Sequence, residues 1–159
     1  MRILSLLAIY LLLTVTTALG EDNDFVSPEG GFAARFPAAP EPFQEEELRG
    51  VVSEASSGVY TVMWTDLDPA VKDFKPEQVR EVLAGAREAF GVNPTERAIT
   101  LSGHQGLDLE VVDTDSVRYR VRLYLVGRRL YQVIYAHRAG EFDTALAEAF
   151  VTSFRLLTS

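Results

Sequence analysis

The sequence predicts an α+β domain in which an antiparallel sheet of about six to seven strands carries two main helices. Three observations support that reading. Apolar residues alternate with period two through most of the second half of the chain, two other segments repeat them at helical spacing, and the order is strand, hairpin, helix, meander, helix. A length of 159 residues with 47% apolar side chains suits one domain with a packed core.

The first 20 residues stand apart from that domain. Met1-Arg2 precedes Ile3 to Leu13, an apolar run interrupted only by Ser5, and Ala18 and Gly20 place small residues three and one before a cut at Glu21. Residues 1–20 therefore read as a secretory signal peptide and residues 21–159 as a single exported domain, periplasmic or extracellular. An uncleaved signal anchor is the rival, because Ile3 to Leu19 is 17 residues, at the short limit of what spans a bilayer. A membrane enters the expectation only through that retained segment.

Within the domain, Phe32 to Phe36 reads as a short strand between Gly30-Gly31 and Pro37, at an edge or leading directly into a turn. Gln44 to Glu54 and Val59 to Thr65 form a hairpin about Ala55-Ser56-Ser57-Gly58, with Tyr60, Val62 and Trp64 on one face. Pro76 opens a helix whose stripe is Val79, Val82, Leu83, Ala86 and Phe90, and Gly91 ends it. Four strands follow, Arg97 to Leu101, Leu107 to Val112, Val117 to Val126 and Arg129 to His137, with turns at Gly103 to Gly106, Asp113 to Ser116 and Gly127-Arg128. The last turn pairs Val126 with Arg129 and Tyr124 with Tyr131. That register puts Val121, Leu123, Leu125, Leu130 and Ile134 on one face, and Arg120, Arg122, Tyr124, Tyr131, Val133 and Tyr135 on the other. Phe142, Ala145, Leu146, Ala149, Phe150 and Phe154 give a second helical stripe. Periodicity leaves open whether the two helices share a sheet face.

Phe25-Val26-Ser27-Pro28-Glu29-Gly30-Gly31-Phe32 running into Phe36-Pro37, the later helix, Leu130-Tyr131-Gln132-Val133 and the terminal Phe150-Val151-Thr152-Ser153-Phe154 together resemble a known pattern. It is similar to the α/β/α sandwich of PsbP, an extrinsic subunit of the photosystem II oxygen-evolving complex, and of the Ran-binding import factor Mog. The likeness is greater still to small exported bacterial domains of unknown function with that fold. What the resemblance implies is the PsbP-like sandwich and an accessory, non-catalytic role outside the cytoplasm. It carries no functional residue onto any position here.

Composition narrows the chemistry. The absence of cysteine excludes disulfides, thiol nucleophiles and thiolate metal sites. A net charge of −8 opposes overall attraction to nucleic acid, and no nucleic-acid partner is expected. The two histidines, His104 and His137, lack a catalytic motif, and no serine occupies a nucleophile setting. The pairs Asp66 with Asp68 and Asp113 with Asp115 read as turn chemistry, so neither a metal nor a cofactor is expected. One local basic cluster remains, Arg118, Arg120, Arg122, Arg128 and Arg129, interleaved with Tyr119, Tyr124 and Tyr131.

Arginine beside tyrosine can bind carboxylate or phosphate, which makes Arg120, Arg122, Tyr124, Tyr131 and Tyr135 the candidate site for a small anion or for an envelope or secreted protein partner. Against that, Asp108 and Glu110 on the neighbouring strand can pair across to the same arginines and make a salt-bridged outer face. The leading expectation is a binding or accessory module, not an enzyme. The alternatives are a hydrolase-type enzyme with an unrecognised site and a structural component of an envelope assembly. For the N-terminus, mass spectrometry of the protein from its native host is expected to find a chain starting at Glu21; residues 1–20 retained in a soluble cytoplasmic fraction would refute export.

Overall fold

Strands that carry bulky side chains on both faces are stable only where both faces are covered. The computed structural model describes residues 24–91 and 93–158, and in it the chain builds such a sheet and two covers. The signal segment expected at residues 1–20, with its cut, lies outside the described residues. The elements in order are β1 Phe25–Ser27, β2 Phe32–Ala34, β3 Glu41–Glu45, β4 Leu48–Ala55, β5 Gly58–Asp66, α1 Pro76–Glu88, β6 Thr95–Leu101, β7 His104–Val112, β8 Val117–Val126, β9 Arg129–Arg138, α2 Thr144–Ser153 and β10 Arg155–Leu156. Seven strands form one antiparallel sheet in the order β3-β4-β5-β9-β8-β7-β6, and β1-β2-β10 form a small second sheet. The α+β expectation therefore holds, with a seven-stranded main sheet.

The question periodicity left open is settled by the two cores, since the helices lie on opposite faces. On one face α1 packs Val79, Val82, Leu83 and Ala86 against Leu109, Val121, Leu123, Leu130 and Ile134. On the other, α2 and the small sheet bring Phe32, Phe36, Phe150, Val151 and Phe154 onto Tyr60, Val62, Trp64, Tyr124, Tyr131 and Tyr135. The face sorting expected for β8 and β9 matches this division, and Val126 pairs with Arg129 and Tyr124 with Tyr131.

Local chemistry sets the ends of the helices. The Lys75 amide donates to Gln78 Oε1 at 2.9 Å at the start of α1, and Pro76 needs no acceptor there. Asp143 Oδ1 accepts from the Ala145 and Leu146 amides at 2.9 and 3.0 Å, capping α2.

Four expectations are corrected. Gln44 to Glu54 is not one strand, because the chain turns at Glu46-Glu47 and Glu45 pairs with Leu48, adding β3 to the sheet. Glu46 adopts a positive φ of 52°, which glutamate rarely does, so no turn residue announced it. The β6–β7 turn lies at Ser102-Gly103 and β7 begins at His104. Phe32 to Ala34 leaves the main sheet and pairs with β1 and β10, the latter two residues long and too short to show alternation. Finally, α2 buries Ala147, Phe150 and Val151, leaving Ala145, Leu146 and Ala149 exposed. The helix is apolar nearly all round, so two stripes competed, and the one continuous with Phe154 fits the aromatic layer.

Gly106 is needed where β7 approaches β8. A methyl group there would run into the Leu123 carbonyl and lie 2.5 Å from Tyr124 Cδ1. Gly106→Ala is expected to cost about 1–3 kcal/mol in denaturant unfolding. Gly85→Ala, in α1 with nothing within 4 Å of the added carbon, is expected to stabilise by about 0.4–1 kcal/mol.

Candidate functional site

Antiparallel pairing sets Arg97 of β6 opposite Asp108 of β7, Asp108 opposite Arg122 of β8, and Glu110 opposite Arg120. Side chains opposite one another share a face, so these charges collect on the α2 side of the sheet. Asp108 Oδ2 accepts from Arg97 at 2.9 Å and from Arg120 at 2.7 Å, and Arg122 Nε stands 3.6 Å from it. Glu110 accepts from Arg120 at 2.6 Å and from Arg118 at 3.1 Å. From above, Glu148 of α2 reaches down to Arg120 at 3.1 Å and to Arg122 at 3.2 Å. Four arginines and three carboxylates thus form one ladder.

Cover differs sharply along it. The Asp108 side chain is 3% exposed and those of Arg120 and Arg122 are 12% and 13%, whereas Glu148 is 48% exposed and Arg97 is 68%. The carboxylates on the neighbouring strand pair with the arginines as the competing sequence reading required. Glu148 and Arg97 were not singled out from the sequence. Glu148 can be placed only once the rotation of α2 about its axis is known.

The three candidate tyrosines sit deeper. Tyr124 stacks on Phe154 with ring centroids 5.9 Å apart. Tyr131 donates to the Gly30 carbonyl at 2.6 Å, and Tyr135 to the Ser57 carbonyl at 2.6 Å. All three are buried. Of the five sequence-predicted residues, Arg120 and Arg122 share one site, and the tyrosines form the floor beneath α2 and the small sheet.

The other arginines of the basic cluster go elsewhere. Arg129 grips both oxygens of Asp66 at 2.7 and 2.8 Å and donates to the Glu29 and Gly30 carbonyls at 3.0 Å each. With Tyr131 and the Arg49–Glu29 bond of 2.8 Å, this clamps the β1–β2 turn to the sheet. Asp66 is thus a clamp residue and not turn chemistry, while Asp68 and Asp113 do accept from backbone amides two residues on, at 2.8 and 2.9 Å. An open cleft of about 560 Å³ beside the clamp lies between the Glu46-Glu47 turn, Arg49, Trp64 and Asp66 to Pro69. Among the described residues, no three His, Asp or Glu side chains converge as a metal ion would need.

The Arg129 hydrogen bonds hold the Asp66 carboxyl below its usual range, and Asp66 in turn keeps Arg129 charged. Burial pushes the phenols of Tyr119, Tyr124, Tyr131 and Tyr135 upward, helped at Tyr119 by its bond to Asp113. A folded pKa above the unfolded value of about 10 means that the stabilisation is complete below pH 10 and is lost as pH rises through the folded value. In an ultraviolet alkaline titration these four tyrosines are expected to resist ionisation until the protein unfolds; ionisation near pH 10 with the fold intact would contradict their burial.

No protein-family model matches the chain, and no curated protein matches it. Solved structures do. The solution structure of cyanobacterial PsbP (CyanoP) from Synechocystis sp. PCC 6803 superposes with a TM-score of 0.58 at 12% identity, over 88% of this chain and 97% of that one. A crystal structure of a Bacteroides thetaiotaomicron VPI-5482 protein superposes with a TM-score of 0.53 at 10% identity, over 86% of this chain. This chain spans about half of that protein, 48% of its length. Both likenesses are of fold alone, and the fold is PsbP-like.

Proposed function

We propose that the chain is an exported, non-catalytic accessory domain that holds a carboxylate- or phosphate-bearing partner on the arginine ladder, by exchange for Glu148. One observation supports this most. Arg120 and Arg122 are held almost fully covered, and the half-exposed Glu148 bonds to both. An arginine pair fixed in this way offers planar donors at little further cost in side-chain entropy. Export rests on the N-terminal segment, and the accessory role on the PsbP-like fold. The non-catalytic reading rests on how the polar groups are employed. His137 receives the Arg138 amide and faces the Ser56 carbonyl, and Asp113 organises the β7–β8 turn. The buried tyrosines of the candidate set shape the floor and do not touch the partner.

Isothermal titration with citrate and with inorganic phosphate tests the exchange. Glu148→Gln frees both arginines and is expected to tighten binding about tenfold, near 1.4 kcal/mol, with the gain shrinking as salt screens it. Arg122→Ala is expected to abolish it. Unchanged affinity in both variants would dismiss the ladder as a binding site.

A further inference from the structure

The two edges of the seven-stranded sheet are built differently. At the β3 edge a two-residue turn closes on Glu45 and Leu48, so the backbone groups of Glu41, Phe43 and Glu45 face β4 while those of Pro42 and Gln44 face outward. Pro42 has no N–H to give, and Glu41, Glu45, Glu46 and Glu47 surround it with negative charge. That edge is closed to a further strand.

At the β6 edge the turn passes through Ser102 and Gly103 at φ values of 49° and 83°, closing on Leu101 and His104. Thr95, Arg97, Ile99 and Leu101 therefore bond to β7, and Glu96, Ala98 and Thr100 turn their N–H and C=O groups outward. No described residue pairs with them, and β6 contains neither proline nor lysine.

The side chains on this edge have their own pattern. Arg97 is on the α2 side, bonded to Asp108. Ile99 and Leu101 lie half-buried on the same side against that core. With four arginines to three carboxylates, the ladder has one positive charge in excess, and its most exposed arginine is Arg97, on the open edge.

We infer that the β6 edge takes up an extended acidic segment of a partner protein as an added antiparallel strand. A carboxylate lies opposite Arg97, and apolar side chains lie opposite Ile99 and Leu101. Main-chain bonds to Ala98 and its outward-facing neighbours supply affinity, and the side-chain pattern supplies choice of partner. The inference rests on the ladder reading for the sign of the partner's charge, and adds what that reading lacks, the partner's conformation and point of entry. A second copy of this chain fits poorly. Two-fold antiparallel pairing keeps each face with itself, so only residues of like parity meet. Arg97 would then oppose Thr95, Arg97, Ile99 or Leu101 of the second copy, never a carboxylate.

The probe is a synthetic peptide alternating threonine with leucine, valine and glutamate in that order, titrated into the protein by fluorescence anisotropy and amide exchange. Binding is expected to protect the Ala98 and Thr100 amides. Ala98→Pro removes an outward donor without touching a β7 bond, and is expected to weaken the peptide at least tenfold while leaving citrate affinity unchanged. Arg97→Glu, a glutamine-for-glutamate peptide and a backbone N-methylated peptide are each expected to bind at least tenfold more weakly. Full binding to Ala98→Pro, or unprotected amides, would overturn strand addition, and equal binding of the glutamine peptide would overturn the acidic partner. Self-association abolished by Ala98→Pro, with no peptide bound, would assign the edge to a second copy and overturn the inference. Citrate reports the ladder alone, so peptide binding with edge protection in the absence of citrate binding would sink the ladder reading and leave the added strand standing.

Discussion

The double-sidedness of β5, β8 and β9 is the constraint on which the other features depend. Val62, Trp64, Tyr124, Tyr131, Val133 and Tyr135 face one way while Met63, Val121, Leu123, Leu125, Leu130 and Ile134 face the other, and all are buried. Leaving either set wet would forfeit roughly 1.5–3 kcal/mol for each large side chain. On the aliphatic face α1 is joined by Leu67 and Phe74 of the segment that leads into it. The aromatic face is broader and takes two covers, α2 and the three-stranded sheet, and each is tied down by polar groups at its rim. Arg129, Tyr131 and Arg49 fasten the β1–β2 turn, and Glu148 fastens α2.

That division explains why the ladder is where it is. Past the aromatic layer, charged side chains fill the α2 side of β6, β7 and β8, and the Phe142 ring lies over the Arg118 guanidinium at 4.4 Å. Asp108 would be costly alone, since a buried carboxylate with no partner is destabilising by several kcal/mol. Three arginines, Arg97, Arg120 and Arg122, converge on its Oδ2 and offset part of that penalty, while its Oδ1 is buried with no hydrogen-bond partner. The same arrangement serves as packing and as a preset array of donors.

Much of this was legible in the sequence because strand periodicity is rigid. Once Gly127-Arg128 is taken as a two-residue turn, every side chain of β8 and β9 is assigned to a face, and the matching alternation of β7 allows Asp108 and Glu110 to pair across to the arginines. What stayed hidden depends on long-range fit. Glu46 turns without a glycine, β10 is two residues long, and α2 is apolar on too many sides for its spacing to fix its rotation. Glu148, which decides how the ladder is capped, inherits that last ambiguity. Asp66 looked like a turn residue because its partner, Arg129, is 63 residues away.

The small sheet joins the two ends of the domain. The Arg35 amide bonds Ser153 Oγ across a separation of 118 residues, beside the pairing of β2 with β10. Closing a loop of that length costs entropy that the contacts made on closure must offset. Until it closes, Phe154 is not seated between Phe32 and Tyr124, and the aromatic face stays open to solvent. Because Phe154 belongs to this half of the core, a chain synthesised from its N-terminus cannot complete it before residues 154 to 156 have arrived.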